Sequence, residues 1–169
     1  GQHEQNWAAC RDTNGIMYFG NTHGLLEYDG TEWTFHNTTS PDIVRSLAVS
    51  GSNTVYIGGY NYFGFLGRDS AGNSIYKSLS DRLEEGTAIF GNVWNIGIID
   101  NGVSFQTDSA LFRWDGDSFR IWPSTYPLNR SFVVRETLYT SRKDEGLMYL
   151  AGDELVPLSG GKLPADEKL

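Results

Sequence analysis

Three observations on the sequence predict an all-β fold, a β-propeller or propeller arc of about four four-stranded antiparallel blades. The phrase GLLEYDGTEW at Gly24–Trp33 returns 86 positions later as ALFRWDGDSF at Ala110–Phe119. The dipeptides Asn14-Gly15 and Asp29-Gly30 return at matched places as Asn101-Gly102 and Asp115-Gly116, and such pairs favour the positive φ of tight hairpin turns. The chain of 169 residues carries 20 glycines, only five prolines and 14% aromatic side chains. That balance suits short strands joined by tight turns.

The first unit, Trp7–Phe35, reads as strand, turn, strand, looser turn, strand, turn, strand, the strands being rich in aromatic and branched residues. The third, Val93–Trp122, matches it without gaps, so that Phe19 maps to Phe105, Leu25 to Leu111, Tyr28 to Trp114 and Trp33 to Phe119. The second, Val44–Tyr76, is looser, with Tyr56 in the place of Tyr18 and Phe63-Gly64-Phe65-Leu66 in the place of Gly24-Leu25-Leu26. A fourth, Ser131–Leu158, keeps Gly146-Leu147 for Gly24-Leu25 and Gly152 for Gly30. Anchored on residues 18, 56, 104 and 139, the units are spaced by 38, 48 and 35 residues. The long interval holds Ser80–Gly86, where Asp81, Glu84 and Gly86 predict one helical turn.

A repeated meander of roughly 40 residues is the mark of a propeller, whose blades bury their faces against one another. The predicted organisation is a single propeller segment over 1–169. Its blades fall at about 6–36, 43–77, 92–122 and 130–158, followed by a tail at 159–169. Tyr18, Trp33, Tyr56, Trp114 and Phe119 are expected to pack between blades. Four blades are few for a closed ring, so the segment is expected to be a rare four-bladed ring or an arc of a larger one. The exposed end faces of an arc would favour a homodimer, two arcs closing an eight-bladed ring about a two-fold axis.

The formal net charge is −8, and no cluster of Lys and Arg is present, which argues against direct contact with nucleic acid. No run approaches the ~20 apolar residues of a membrane-spanning helix, so membrane attachment is expected only through segments downstream of this one. The single cysteine, Cys10, lies in an apolar stretch and reads as a small buried hydrophobe.

The run D-x-x-G-x-x-Y-F-G-N-x-x-G-L-x-x-Y-D-G, Asp12 to Gly30, resembles the two-component regulator propeller repeat, and Gly58–Leu66 looks like that family's second blade. The likeness covers about residues 6–158. It implies the input portion of a bacterial hybrid histidine kinase or related LuxR-type regulator with a triple-tyrosine module. It also implies a periplasmic or extracytoplasmic location and a role in signal transduction and transcription regulation. Gln106 and Ala110 depart from the family, which prefers Gly at both places. No kinase, receiver, triple-tyrosine or DNA-binding segment is present in these residues.

Enzymatic motifs are missing. There is no G-x-S-x-G, H-E-x-x-H or G-x-x-x-x-G-K-[ST]. His3, His23 and His36 read as a terminus, a turn and a strand end, solvated rather than metal-binding. Asp115/Asp117 and Glu84/Glu85 read as turn and surface acids rather than glycosidase carboxylates. Asp12–Gly15 lacks the distal ligands of a calcium loop. No catalytic residue, cofactor or metal is expected.

Binding has a candidate set. Tyr60 and Tyr62 sit in a Gly-flanked turn where a ring would have no blade-packing duty. Arg45, Arg130 and Arg135 precede or enter the first strands of their blades, near the mouth of a central channel. Tyr60, Asn61, Tyr62, Trp94, Arg45 and Arg130 together offer aromatic faces for sugar C–H surfaces and polar groups for hydroxyls. The alternative is that Trp94 is a core residue and the arginines form surface ion pairs. The functional expectation is a non-catalytic sensing segment for a carbohydrate or other small molecule. A protein-interaction scaffold is the second reading, and a propeller hydrolase or lyase the third.

Overall fold

Strand alternation and tight turns build four meanders, which a computed structural model describes over residues 5–38, 43–84, 87, 89–124, 128, 130–142 and 146–159. Blade 1 holds β1 (Asn6–Arg11), β2 (Met17–Asn21), β3 (Gly24–Tyr28) and β4 (Trp33–His36). Blade 2 holds β5 (Ser46–Val49), β6 (Val55–Gly58), β7 (Phe63–Arg68) and β8 (Ser74–Ser78). Blade 3 holds β9 (Val93–Ile99), β10 (Gly102–Thr107), β11 (Ala110–Trp114) and β12 (Phe119–Pro123). Blade 4 holds β13 (Phe132–Val134), β14 (Thr137–Arg142), β15 (Gly146–Ala151) and β16 (Glu154–Pro157). Each sheet is antiparallel with its strands in sequence order. The helical turn between blades 2 and 3 is a 3-10 turn at Ser80–Arg82; Ser78 Oγ accepts the N–H of Asp81, in place of the expected capping pair of Asp81 and Glu84. Glu85 and Gly86 lie outside the described residues, as does most of the tail.

The turn aspartates explain their own positions. Asp29 accepts the backbone N–H groups of Thr31 and Glu32, and Asp115 those of Asp117 and Ser118. These bonds hold both carboxyls below the usual carboxylate range, the larger share coming from Glu32 and Ser118 respectively.

Strand β1 packs beside β5, β5 beside β9 and β9 beside β13, so the first strands line the inside of an arc. No comparable contact joins β1 to β13 among the described residues, and the arc stays open. Blades 1 and 2 close on Tyr18, Leu25, Val44, Val55, Ile57 and Tyr62. Blades 2 and 3 close on an aromatic cluster in which Phe63 stacks on Phe105 at 4.3 Å and touches Phe90 and Phe112. Blades 3 and 4 close on Ile99, Leu111, Leu128 and Leu138.

Cross-strand register shows which face each side chain takes. Phe19 stands opposite Leu26 and Leu26 opposite Phe35, as Phe105 stands opposite Phe112 and Phe112 opposite Ile121. In blade 3 this face is covered by blade 2. In blade 1 no described residue from another blade packs over it, and Trp33 is 58% exposed, stacked on Tyr28 at 4.6 Å. The expectation that Trp33 packs between blades is therefore corrected. At the other end Tyr139, which shares the register position of Tyr18 and Tyr56, is partly exposed beside Phe132.

Two corrections concern blade 1. His36 is buried rather than solvated, its Nε2 2.8 Å from Glu27 Oε2. Cys10 is only partly buried, opposite Tyr18 at the junction with blade 2. Burial and the nearby Asp12 push the Cys10 thiol up to about 11, and burial with Glu27 and Asp12 pushes Tyr18 up to about 12.

Two predictions follow from this packing. Phe105→Ala costs about 3–5 kcal/mol of stability, as buried phenylalanines do, whereas Phe19→Ala, at the same register position on the open face, costs about 1 kcal/mol; urea unfolding measures both. Raising pH from about 9 to 11 lowers stability, because the unfolded chain releases its thiol proton near the ordinary value of ~8.5 while the folded chain holds it. Unfolding titrations of the parent and of Cys10→Ser check this, the variant showing the smaller loss.

Candidate functional site

The first strands of the blades carry one recurring position. Ala8 pairs with Gly20 and Ser46 with Gly58, so Trp7 and Arg45, the residues just before them, are equivalent. Asn95 pairs with Gln106, which places Trp94 at the same point of blade 3. Trp7 and Trp94 each sit at a register shift in the first ladder, between Asn6 and Ala8 and between Val93 and Asn95. A bulge of this kind turns a side chain out of the regular alternation.

The arc therefore presents tryptophan, arginine and tryptophan from three consecutive blades. The guanidinium carbon of Arg45 lies 4.8 Å from the ring centre of Trp7 and 5.0 Å from that of Trp94. Such contacts contribute about 0.5–2 kcal/mol each, depending on desolvation. Arg130 arrives from the start of blade 4. With Asn95, Gln106, Leu128 and Ser131 these residues line a cleft of about 610 Å³.

Gln106 shapes the cleft's wall at the junction of blades 3 and 4. Its equivalents are Gly20 and Gly58, where an added Cβ would come within 2.7 Å of Val44 and 2.6 Å of Val93. There the next blade's lead-in packs directly on the strand. In blade 3 the Gln106 side chain, 2% exposed, occupies that space. It donates to the Leu128 carbonyl at 3.1 Å and accepts the Ser131 N–H at 2.6 Å. Asn95 Nδ2 donates to the Ser131 carbonyl at 2.6 Å. The residue that breaks the repeat thus holds one wall of the cleft.

Of the six residues singled out from sequence, the structure brings Arg45, Trp94 and Arg130 together. Trp94 is 49% exposed rather than a core residue, its indole N–H donating to Asp108. Neither Arg45 nor Arg130 forms an ion pair among the described residues. Tyr60, Asn61 and Tyr62 do not line the cleft. Tyr62 is 5% exposed, edge-on to Tyr76 at 5.9 Å, so the reading that it has no packing duty is corrected. A tight turn between strands β6 and β7 folds it back onto blade 2. Asn61 has φ 57°, and its side-chain amide oxygen Oδ1 accepts the N–H groups of Phe90 and Gly91 at 3.0 and 2.7 Å. It buttresses the entry to blade 3. Tyr60 is exposed and bridges to Asn92 through the backbone. Arg135, expected near the channel, lies in the turn between β13 and β14 with φ 48°. Trp7, Asn95 and Gln106 were missed. Trp7 and Trp94 share a position before a small residue and a strand, but their meeting across Arg45 depends on how blades stack.

Among the described residues no group of three or more His, Cys, Asp or Glu could hold a metal ion. Asn61→Ala is expected to cost about 1–3 kcal/mol by leaving two backbone donors unsatisfied, with the cleft tryptophans unperturbed. Urea unfolding gives the first quantity and tryptophan emission the second.

No family model and no curated protein matches this chain in sequence. Solved structures do match its fold. The extracellular domain of the one component system BT4673 from B. thetaiotaomicron superposes with a TM-score of 0.68 at 13% identity, over 99% of this chain and 23% of that one. The extracellular domain of the hybrid two component system BT3049 from the same organism gives 0.62 at 12% identity, over 86% and 21%. The WD40 β-propeller domain of Doa1 gives 0.65 at 12% identity, over 92% and 54%. The chain thus spans about half of the Doa1 domain and under a quarter of the two extracellular domains. At these identities the likeness shows the architecture, a propeller arc, and nothing beyond it.

Proposed function

We propose that this chain is a ligand-sensing propeller segment of an extracytoplasmic signalling receptor, without catalysis of its own. One observation carries the reading: side chains from all four blades, Trp7, Arg45, Trp94 and Arg130, converge on one cleft at the inner strands. A ligand held there touches four units at once, so its affinity depends on their mutual arrangement. A ligand that binds one arrangement better shifts the population toward it, which is what an input domain must do. The repeat and the fold shared with sensor ectodomains support the same role. Aromatic faces beside polar groups suit an oligosaccharide or another ring-bearing small molecule.

The partner reading rests on the open end faces. In the junction of blades 2 and 3, Tyr56 meets Phe105 edge-on at 6.1 Å. A second copy placed head to tail sets its Tyr139 against Phe19 in the same way, and two such contacts close a ring. Sedimentation of the 169-residue chain is expected to show a dimer that Phe19→Glu dissociates. A monomer at high concentration would sink this partner.

The ligand reading is tested by screening soluble oligosaccharides for quenching of tryptophan emission in the parent chain. Trp94→Ala is expected to weaken a hit about tenfold, the equivalent of about 1.4 kcal/mol, while Tyr60→Ala leaves it unchanged. A hit lost in Tyr60→Ala and kept in Trp94→Ala would move the site to the blade 2 turn.

A further inference from the structure

Resting on the ligand-sensing reading, we infer that the cleft takes an anionic ligand, a carboxylate or sulfate carried on a ring with an apolar face. The amide nitrogens that would read neutral hydroxyls are engaged internally, Asn95 on the Ser131 carbonyl and hydroxyl and Gln106 on the Leu128 carbonyl. The charged groups among the lining residues are the two guanidinium groups of Arg45 and Arg130.

Arg45 is prepared for such a ligand. Its guanidinium carbon lies over the rings of both Trp7 and Trp94, at 4.8 and 5.0 Å, and two such contacts restrain the group while leaving N–H donors to bond. The guanidinium fork matches the two oxygens of a carboxylate or sulfate, and a restrained group loses less freedom on binding. Arg130, exposed at the same cleft, supplies a second positive charge. Among the described residues no carboxylate lines the cleft. Asp108, which accepts from the Trp94 indole, is also engaged by the Asn92 backbone N–H and the Asn92 side chain. In a chain of net charge −8, two arginines that form no ion pair among the described residues make this cleft a local reversal of sign. The rest of the surface repels anions, and the cleft collects them. The indole surfaces then hold the apolar face of the ring.

The test titrates the chain with sodium sulfate, trigalacturonate and the neutral trisaccharide galactotriose at constant ionic strength, read by tryptophan emission and calorimetry. Trigalacturonate is expected to bind at least about tenfold more tightly than galactotriose, with sulfate competing for the same site. Arg130→Gln, at an exposed position, is expected to weaken trigalacturonate about tenfold, a loss of about 1.4 kcal/mol, without changing the unfolding midpoint. Arg45→Lys, which keeps the charge but not the fork, is expected to weaken it by a similar factor. Equal binding of galactotriose would overturn the anionic class while leaving the cleft as a ligand site. Absence of binding by both sulfate and trigalacturonate would also overturn it, and the ligand-sensing reading would then stand or fall on the oligosaccharide screen.

Discussion

A four-stranded sheet of short strands has two faces and cannot shield either of them from water, so each blade holds together only against its neighbours. The junction of blades 2 and 3 shows this requirement met in full. Phe63, Phe90, Phe105 and Phe112 interlock there, with ring centres 4.3 to 5.3 Å apart. The outer face of blade 1 shows the same register positions with no described residue packed over them, and its side chains stay partly in water. Blade stacking is therefore the source of the stability.

The cleft is a by-product of the same stacking. Three blades put equivalent residues at the start of their first strands, and the curvature of the arc brings those residues within contact distance. Two tryptophans and an arginine, from positions roughly 40 to 50 apart in sequence, become one layered unit. Gln106 then changes the spacing at a single junction. Where glycine lets the next lead-in lie on the strand, the longer side chain takes its place and ties Leu128 and Ser131 by hydrogen bonds. A departure from the repeat becomes the feature that shapes the site.

The turn Tyr60–Tyr62 shows the opposite outcome. Its residue types suit a binding loop, yet two of its three side chains serve the fold. Tyr62 fills the junction of blades 1 and 2, and Asn61 uses a left-handed conformation to reach the backbone entering blade 3. Gly59 leaves the space that the Tyr62 ring occupies, since an added Cβ there would collide with that ring, and the turn directs the ring inward.

The sequence by itself determined the number of blades, their meander topology and the pairing of Phe19 with Phe105 and Tyr28 with Trp114. Turn dipeptides and alternation are local, and local steric preferences are enough to set them. It also brought Arg45, Trp94 and Arg130 into view, because a residue just before a first strand must lie near the axis. Only the tertiary structure decided that Trp7 joins them, that Tyr62 and His36 are buried and that Trp33 is exposed. Each of those depends on whether a neighbouring blade or strand covers the face in question. That coverage arises between segments tens of residues apart, where no local pattern records it.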